Sequence, residues 1–164
     1  MAYVIQENSV GWQPIASKET TAKHPLGSIV RAKDPTYGAG EFIYLKGVAS
    51  CVLGSWVTYK NDAGITALAV ANAIGPLGIA MTTTTASYYG WFQINGMAIG
   101  KCLTAMASNT RVWLTSTAGS VDDASVAGDG VNGARSAALT TVNSFVTEFD
   151  LNRPWVNDKT SWIA

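Results

Sequence analysis

The one histidine of the chain, His24, stands before Pro25, and Glu19 is the nearest carboxylate in sequence. An imidazole works as a general base only where rigid neighbours hold it against its partner. A segment broken by prolines gives little such support, so His24 reads as a surface or interface residue. Asp122, Asp123 and Asp129 place three carboxylates within eight residues, a density that could hold calcium. Their spacing lacks the EF-hand series and no glutamate closes the loop, so they read as turn residues bonding their own backbone. Cys51 and Cys102 lie in apolar runs, where reduced cysteine is an ordinary small core residue. Gly38-Ala39-Gly40 has neither the third glycine nor the following helix of a dinucleotide fingerprint, and no phosphate-loop pattern occurs. This reading assigns no catalytic residue, no metal ligand and no cofactor.

The elements that would have to position such groups are themselves short of charge. From Ala63 to Gly100 the chain runs 38 residues without Asp, Glu, Lys, Arg or His. The run is not a membrane helix, because Asn72, Gly75-Pro76 and Thr82–Thr85 interrupt it and ~20 continuous apolar residues are needed. Charged residues make up 13% of the whole, about half the usual ~25%. A surface so poor in charge implies cover by partners. Eleven basic residues balance eleven acidic ones without a basic cluster, so nucleic acid is not an expected partner, nor is a membrane. Residues 1–7 show no basic leader with a following apolar stretch, so no export signal is expected.

Three segments follow from composition: an N-terminal arm over 1–37, a β-rich body over 38–151 and a C-terminal docking tail over 152–164. Pro14, Pro25 and Pro35 punctuate the arm, yet Tyr3, Val4, Ile5, Trp12 and Ile15 make it too apolar for a free tail. Such a segment orders itself on a neighbour or as an edge strand of its own domain. In the body, Glu41–Ala49, Ser55–Lys60, Leu77–Met81, Tyr89–Ala98, Arg111–Thr117 and Phe145–Leu151 read as strands. Ile65–Ala71 fits either a strand or a short helix, and the glycines and aspartates of Ala118–Gly133 read as a loop. Phe42–Ala49 echoes Trp91–Ala98 position by position: aromatic, apolar, polar, aliphatic, polar, Gly, apolar, Ala. The expected class is all-β, a small β-barrel or sandwich-like body with at most one or two short helices. Of six tryptophans, Trp56, Trp91 and Trp113 fall in strands and read as core; those on the arm and tail read as contact anchors. The expected interface residues are Tyr3, Val4, Ile5 and Trp12 on the arm, with Arg153, Pro154, Trp155 and Trp162 on the tail.

The stretches Gly40–Ala49, Gly54–Tyr59, Tyr89–Gly96 and Leu151–Pro154 together resemble the head-decoration, or capsid-cement, proteins of tailed bacteriophages. The similarity spans roughly residues 38–155 and rests on strand pattern and composition. Such proteins are β-rich, often trimeric, and attach outside a mature capsid where major-capsid subunits meet. The resemblance therefore implies a non-enzymatic virion structural protein on the capsid exterior, made in the host cytoplasm. Its implied partners are the major capsid protein and further copies of itself in a homotrimer. The alternative from another class is a carbohydrate-binding module using exposed aromatic residues.

Overall fold

The computed structural model describes residues 4–5, 11–103, 106–138 and 146–158. The described residues contain twelve strands and no helix: β1 (Val4–Ile5), β2 (Lys18–Glu19), β3 (Ile29–Asp34), β4 (Gly38–Lys46), β5 (Trp56–Tyr59), β6 (Thr66–Leu68), β7 (Ile74–Ala80), β8 (Tyr89–Lys101), β9 (Arg111–Leu114), β10 (Val121–Asp122), β11 (Gly130–Ser136) and β12 (Val146–Asn157). They form one large antiparallel sheet in the order β1-β3-β4-β8-β7-β12-β11-β9-β10, with β2 on β8 and β5 joining β6 to β7. The sheet is not closed into a barrel, so the sandwich-like form of the expected all-β class is the one adopted.

The long strand β8 explains how one sheet makes a layered body. Its first half pairs with β4, from Lys46↔Tyr89 to Glu41↔Asn95; its second half pairs with β12, from Asn152↔Asn95 to Val146↔Lys101. Gly96 sits where the partners change, with φ +89°. A side chain there would run into the Ala39 carbonyl oxygen, so only glycine fits this crease. Strand β7 is shared in the same way, beginning on β12 at Ile74–Pro76 and ending on β5 and β8.

Alternation along β4 and β8 then builds a core on each face. Phe42, Tyr44 and Trp91 face Ile15, Val30, Ala32 and Met81. Ile43, Leu45, Phe92 and Ile94 face Cys51, Val57 and Ala80. A third core lies between β5–β7 and the β8–β12–β11–β9 portion, around Trp56, Leu77, Ile79, Val112, Leu114, Phe149 and Val156. There Trp56 and Phe149 meet edge to face at 5.0 Å and 87°, a geometry worth about 0.5–1.5 kcal/mol beyond its buried area. The internal echo has a structural counterpart: Phe42 and Trp91 share one core, while Ile43 with Phe92 and Leu45 with Ile94 share the other.

One stretch differs from expectation. Ala118–Gly133 is not all loop, since β10 and the start of β11 lie within it. Gly133 takes φ +71° where the β11–β12 register shifts, and a side chain would meet the Asn152 carbonyl oxygen. This is a bulge glycine inside a strand, and composition alone gives it the look of a turn. Ile65–Ala71 resolves as a short strand, β6, and not a helix. The 37/38 boundary falls in the β3–β4 turn, with Ile15, Val30 and Ala32 already core residues before it; the 151/152 boundary falls inside β12.

Candidate docking site at the β12 corner

Pro154 has no N–H to give a ladder, and β12 changes partner around it. Asn152 still pairs with Asn95 of β8, whereas Trp155 pairs with Pro76 of β7. Arg153, between them, adopts φ +45°. For an L-residue other than glycine, that left-handed conformation costs roughly 1–2 kcal/mol. Something must hold it.

Glu41 does so. Arg153 donates from Nε and Nη2 to Glu41 Oε2 at 3.1 and 2.9 Å, while Arg31 donates from Nε to Oε1 at 3.1 Å. The position of Arg31 follows from the preceding turn. Asp34 Oδ1 accepts from the backbone N–H of Thr36 and Tyr37 at 2.8 and 3.0 Å, and Gly38 turns left-handed. That turn sets the β3–β4 register at Arg31↔Glu41. The register continues as Glu41↔Asn95 and Asn95↔Asn152, so one polar row crosses β3, β4, β8 and β12. Burial alone would raise the Glu41 pKa, but the hydrogen bonds and charges of Arg153 and Arg31 outweigh it and hold it below the ordinary carboxylate value. Tyr59 at the end of β5 feels the Arg153 charge as well; burial raises its phenol pKa and the guanidinium opposes the rise.

The corner also presents apolar surface. Opposite partners in an antiparallel ladder share a face, so Asn132, Trp155 and Pro76 form one outward row, with Asn157 and Ile74 forming the next. Val131, Leu77 and Val156 point inward to the core. Trp155 remains 40% exposed and Ile74 70%. Beside the row, an open groove of about 330 Å³ is lined by Gly133, Ala134, Arg135, Asp150 and Asn152. Arg135 and Asp150 face each other there at 3.8 Å.

The remaining sequence candidates lie elsewhere. Tyr3 and Trp162 are outside the described residues. Val4 and Ile5 pair as β1 with Lys33 and Ala32. Trp12 is half-buried on its own domain, 4.7 Å from the His24 ring and 5.7 Å from Trp91. His24 is wedged among Trp12, Tyr44 and Trp91, and its Nε2 has no hydrogen-bond partner. Burial lowers its pKa. The three loop carboxylates each accept a backbone N–H: Asp122 from Asp123, Asp123 from Ala107, Asp129 from Asn72. Both cysteines are free and buried, in separate cores. Trp56 and Trp91 are buried and Trp113 is half-buried, with Arg111 stacked 5.7 Å above its ring.

Of the residues at the corner, the sequence reading named Arg153, Pro154 and Trp155, of which Pro154 is buried, and did not name Arg31, Glu41, Tyr59 or Ile74. The Arg31–Glu41 pair carried a signal, being symmetric about Thr36 in the Pro-Thr-Tyr turn. The Arg153–Glu41 pair carried none. No protein-family model matches the chain, and no curated protein matches its sequence.

Proposed function

We propose that this chain is a virion structural protein that binds the outer surface of a phage capsid and stabilises contacts between major-capsid subunits, self-associating as a homotrimer. The observation that supports this reading best is the β12 corner, where a large aromatic, an aliphatic and two arginines stand outward on a rigid sheet. Interfaces favour this mixture, with aromatics and arginine enriched at their centres. The charge-poor β-rich body and the resemblance of residues 38–155 to capsid-cement proteins point the same way. Binding to an assembled lattice stabilises it by mass action, and several weak contacts from one oligomer act together through effective concentration. Among the described tryptophans only Trp155 is exposed, at 40%, so the stacking platform of a carbohydrate module finds less support. The test is co-sedimentation of the purified protein with intact phage heads. Saturable binding in many copies per particle, with heads made more resistant to heat, is expected; a protein left wholly in the supernatant would refute the reading.

A further inference from the structure

The β12 corner holds two guanidinium groups against one carboxylate, and their outer edges are unused. Arg31 engages Glu41 through Nε only, and Arg153 through Nε and Nη2. Among the described residues nothing bonds the terminal nitrogens of Arg31 or Nη1 of Arg153. Their side chains are 71% and 60% exposed, against 14% for Glu41. Lys33 projects from the same face of β3, two residues beyond Arg31. Two arginines thus engage one carboxylate, with Lys33 a third cation on the same face, while Arg135 and Asp150 pair with each other. The left-handed Arg153 is the further sign: a strained backbone position carries a long cationic side chain where glycine or asparagine would sit at ease.

We propose that Arg31 and Arg153 form a preset receptor for an Asp or Glu side chain on a partner protein. Arginine recognises carboxylates through paired N–H donors, and Glu41 fixes both forks before the partner arrives, lowering the ordering cost. The flanking Trp155, Pro76 and Ile74 and the amides of Asn95 and Asn152 suit a polypeptide segment. Nucleic acid is the poorer fit, because such binding typically draws on roughly six to ten phosphate contacts, about two to three times the cations present here. The inference rests on the corner being a docking surface and adds the chemistry of what it grips.

The test has two arms. In the first, a short peptide alternating Glu with Leu, and its Gln-for-Glu counterpart, are titrated against the full chain and against Arg31→Gln and Arg31→Lys. The receptor predicts that the Glu peptide binds the wild type, loses roughly tenfold affinity with Arg31→Gln, recovers in part with Arg31→Lys, and weakens as salt rises. Equal binding of the two peptides, or no change with Arg31→Gln, overturns it. In the second arm, intact phage heads are the probe. Heads ignored by a wild-type protein that still prefers the Glu peptide would refute the decoration reading alone. Heads occupied equally by wild type and Arg31→Gln would refute the receptor alone. Unchanged thermal melting of Arg31→Gln, expected for so exposed a side chain, separates either result from misfolding.

Discussion

Arg153 grips one oxygen of Glu41 across 112 positions of sequence, at 3.1 and 2.9 Å. This clamp joins the corner of β12 to the β3–β4 hairpin and holds a backbone conformation that would otherwise relax. Replacing Glu41 by Gln removes the charge that both arginines share. The expected cost is about 1 kcal/mol, modest because the arginines are mostly solvated. The sign with pH is fixed by the lowered Glu41 pKa: the stabilisation is complete above the unfolded value and is lost as pH falls through the folded one. Denaturant curves of wild type and Glu41→Gln should therefore differ at neutral pH and converge in acid, below the ordinary value of 4.5. A gap that persists unchanged into strong acid would contradict the clamp.

His24 runs the other way. Burial among three aromatic rings lowers its pKa, so the unfolded chain binds the proton more readily than the folded one. Stability from this group is full above about pH 6.5 and falls as pH drops through the unfolded and then the folded value. Among the described residues no carboxylate is recorded beside it: Tyr44 and Trp91 face it from the sheet and Trp12 from the arm, with Lys23 beside it in sequence. Between about pH 7.5 and 5.5, wild type should lose stability that His24→Phe retains. Tryptophan fluorescence during urea unfolding would read the difference, and parallel pH profiles would count against it.

Gly96 offers a steric test with an internal control. At φ +89° its missing side chain makes room for the Ala39 carbonyl, whereas Gly38, at φ +75°, has nothing within 4 Å. Both alanine variants bear the left-handed penalty of roughly 1–2 kcal/mol. Only Gly96→Ala adds a backbone collision at the crease of β8, so it should lose well over 2 kcal/mol or fail to fold. Similar melting temperatures for the two would show that the crease is not tight.

What could be read from sequence divides along physical lines. The strands of the cores were legible because alternation leaves a mark within each strand: Phe42 and Tyr44 against Ile43 and Leu45 tell two faces apart unaided. Strand β3 was hidden because Arg31 and Lys33 make one side polar, Asp34 ends the buried side, and Pro35 follows directly. Strand β11 was hidden because Gly130 and Gly133 serve close approach, Gly130 to the Arg111 guanidinium and Gly133 to the Asn152 carbonyl. Arg153 and Trp155 stood out by type, but their partners depend on register. Nothing local says that the Asp34 turn will set Arg31 opposite Glu41, or that β12 will bring Arg153 to the same carboxylate.

Trp155 and Ile74 carry the last expectation, which concerns association and not folding. Trp56 and Phe149 are fully buried, and Phe149→Ala should cost about 3–5 kcal/mol by opening a cavity. Trp155 is 40% exposed and Ile74 70%, so Trp155→Ser combined with Ile74→Ser should cost less stability than Phe149→Ala. If the corner is a contact surface, the pair should instead reduce self-association in sedimentation velocity or occupancy on phage heads, because exposed aromatics of this kind anchor interfaces. A double variant that melts like the wild type and associates like it would leave the corner as mere surface, and the arginine receptor would then have no apolar neighbour to help hold its partner.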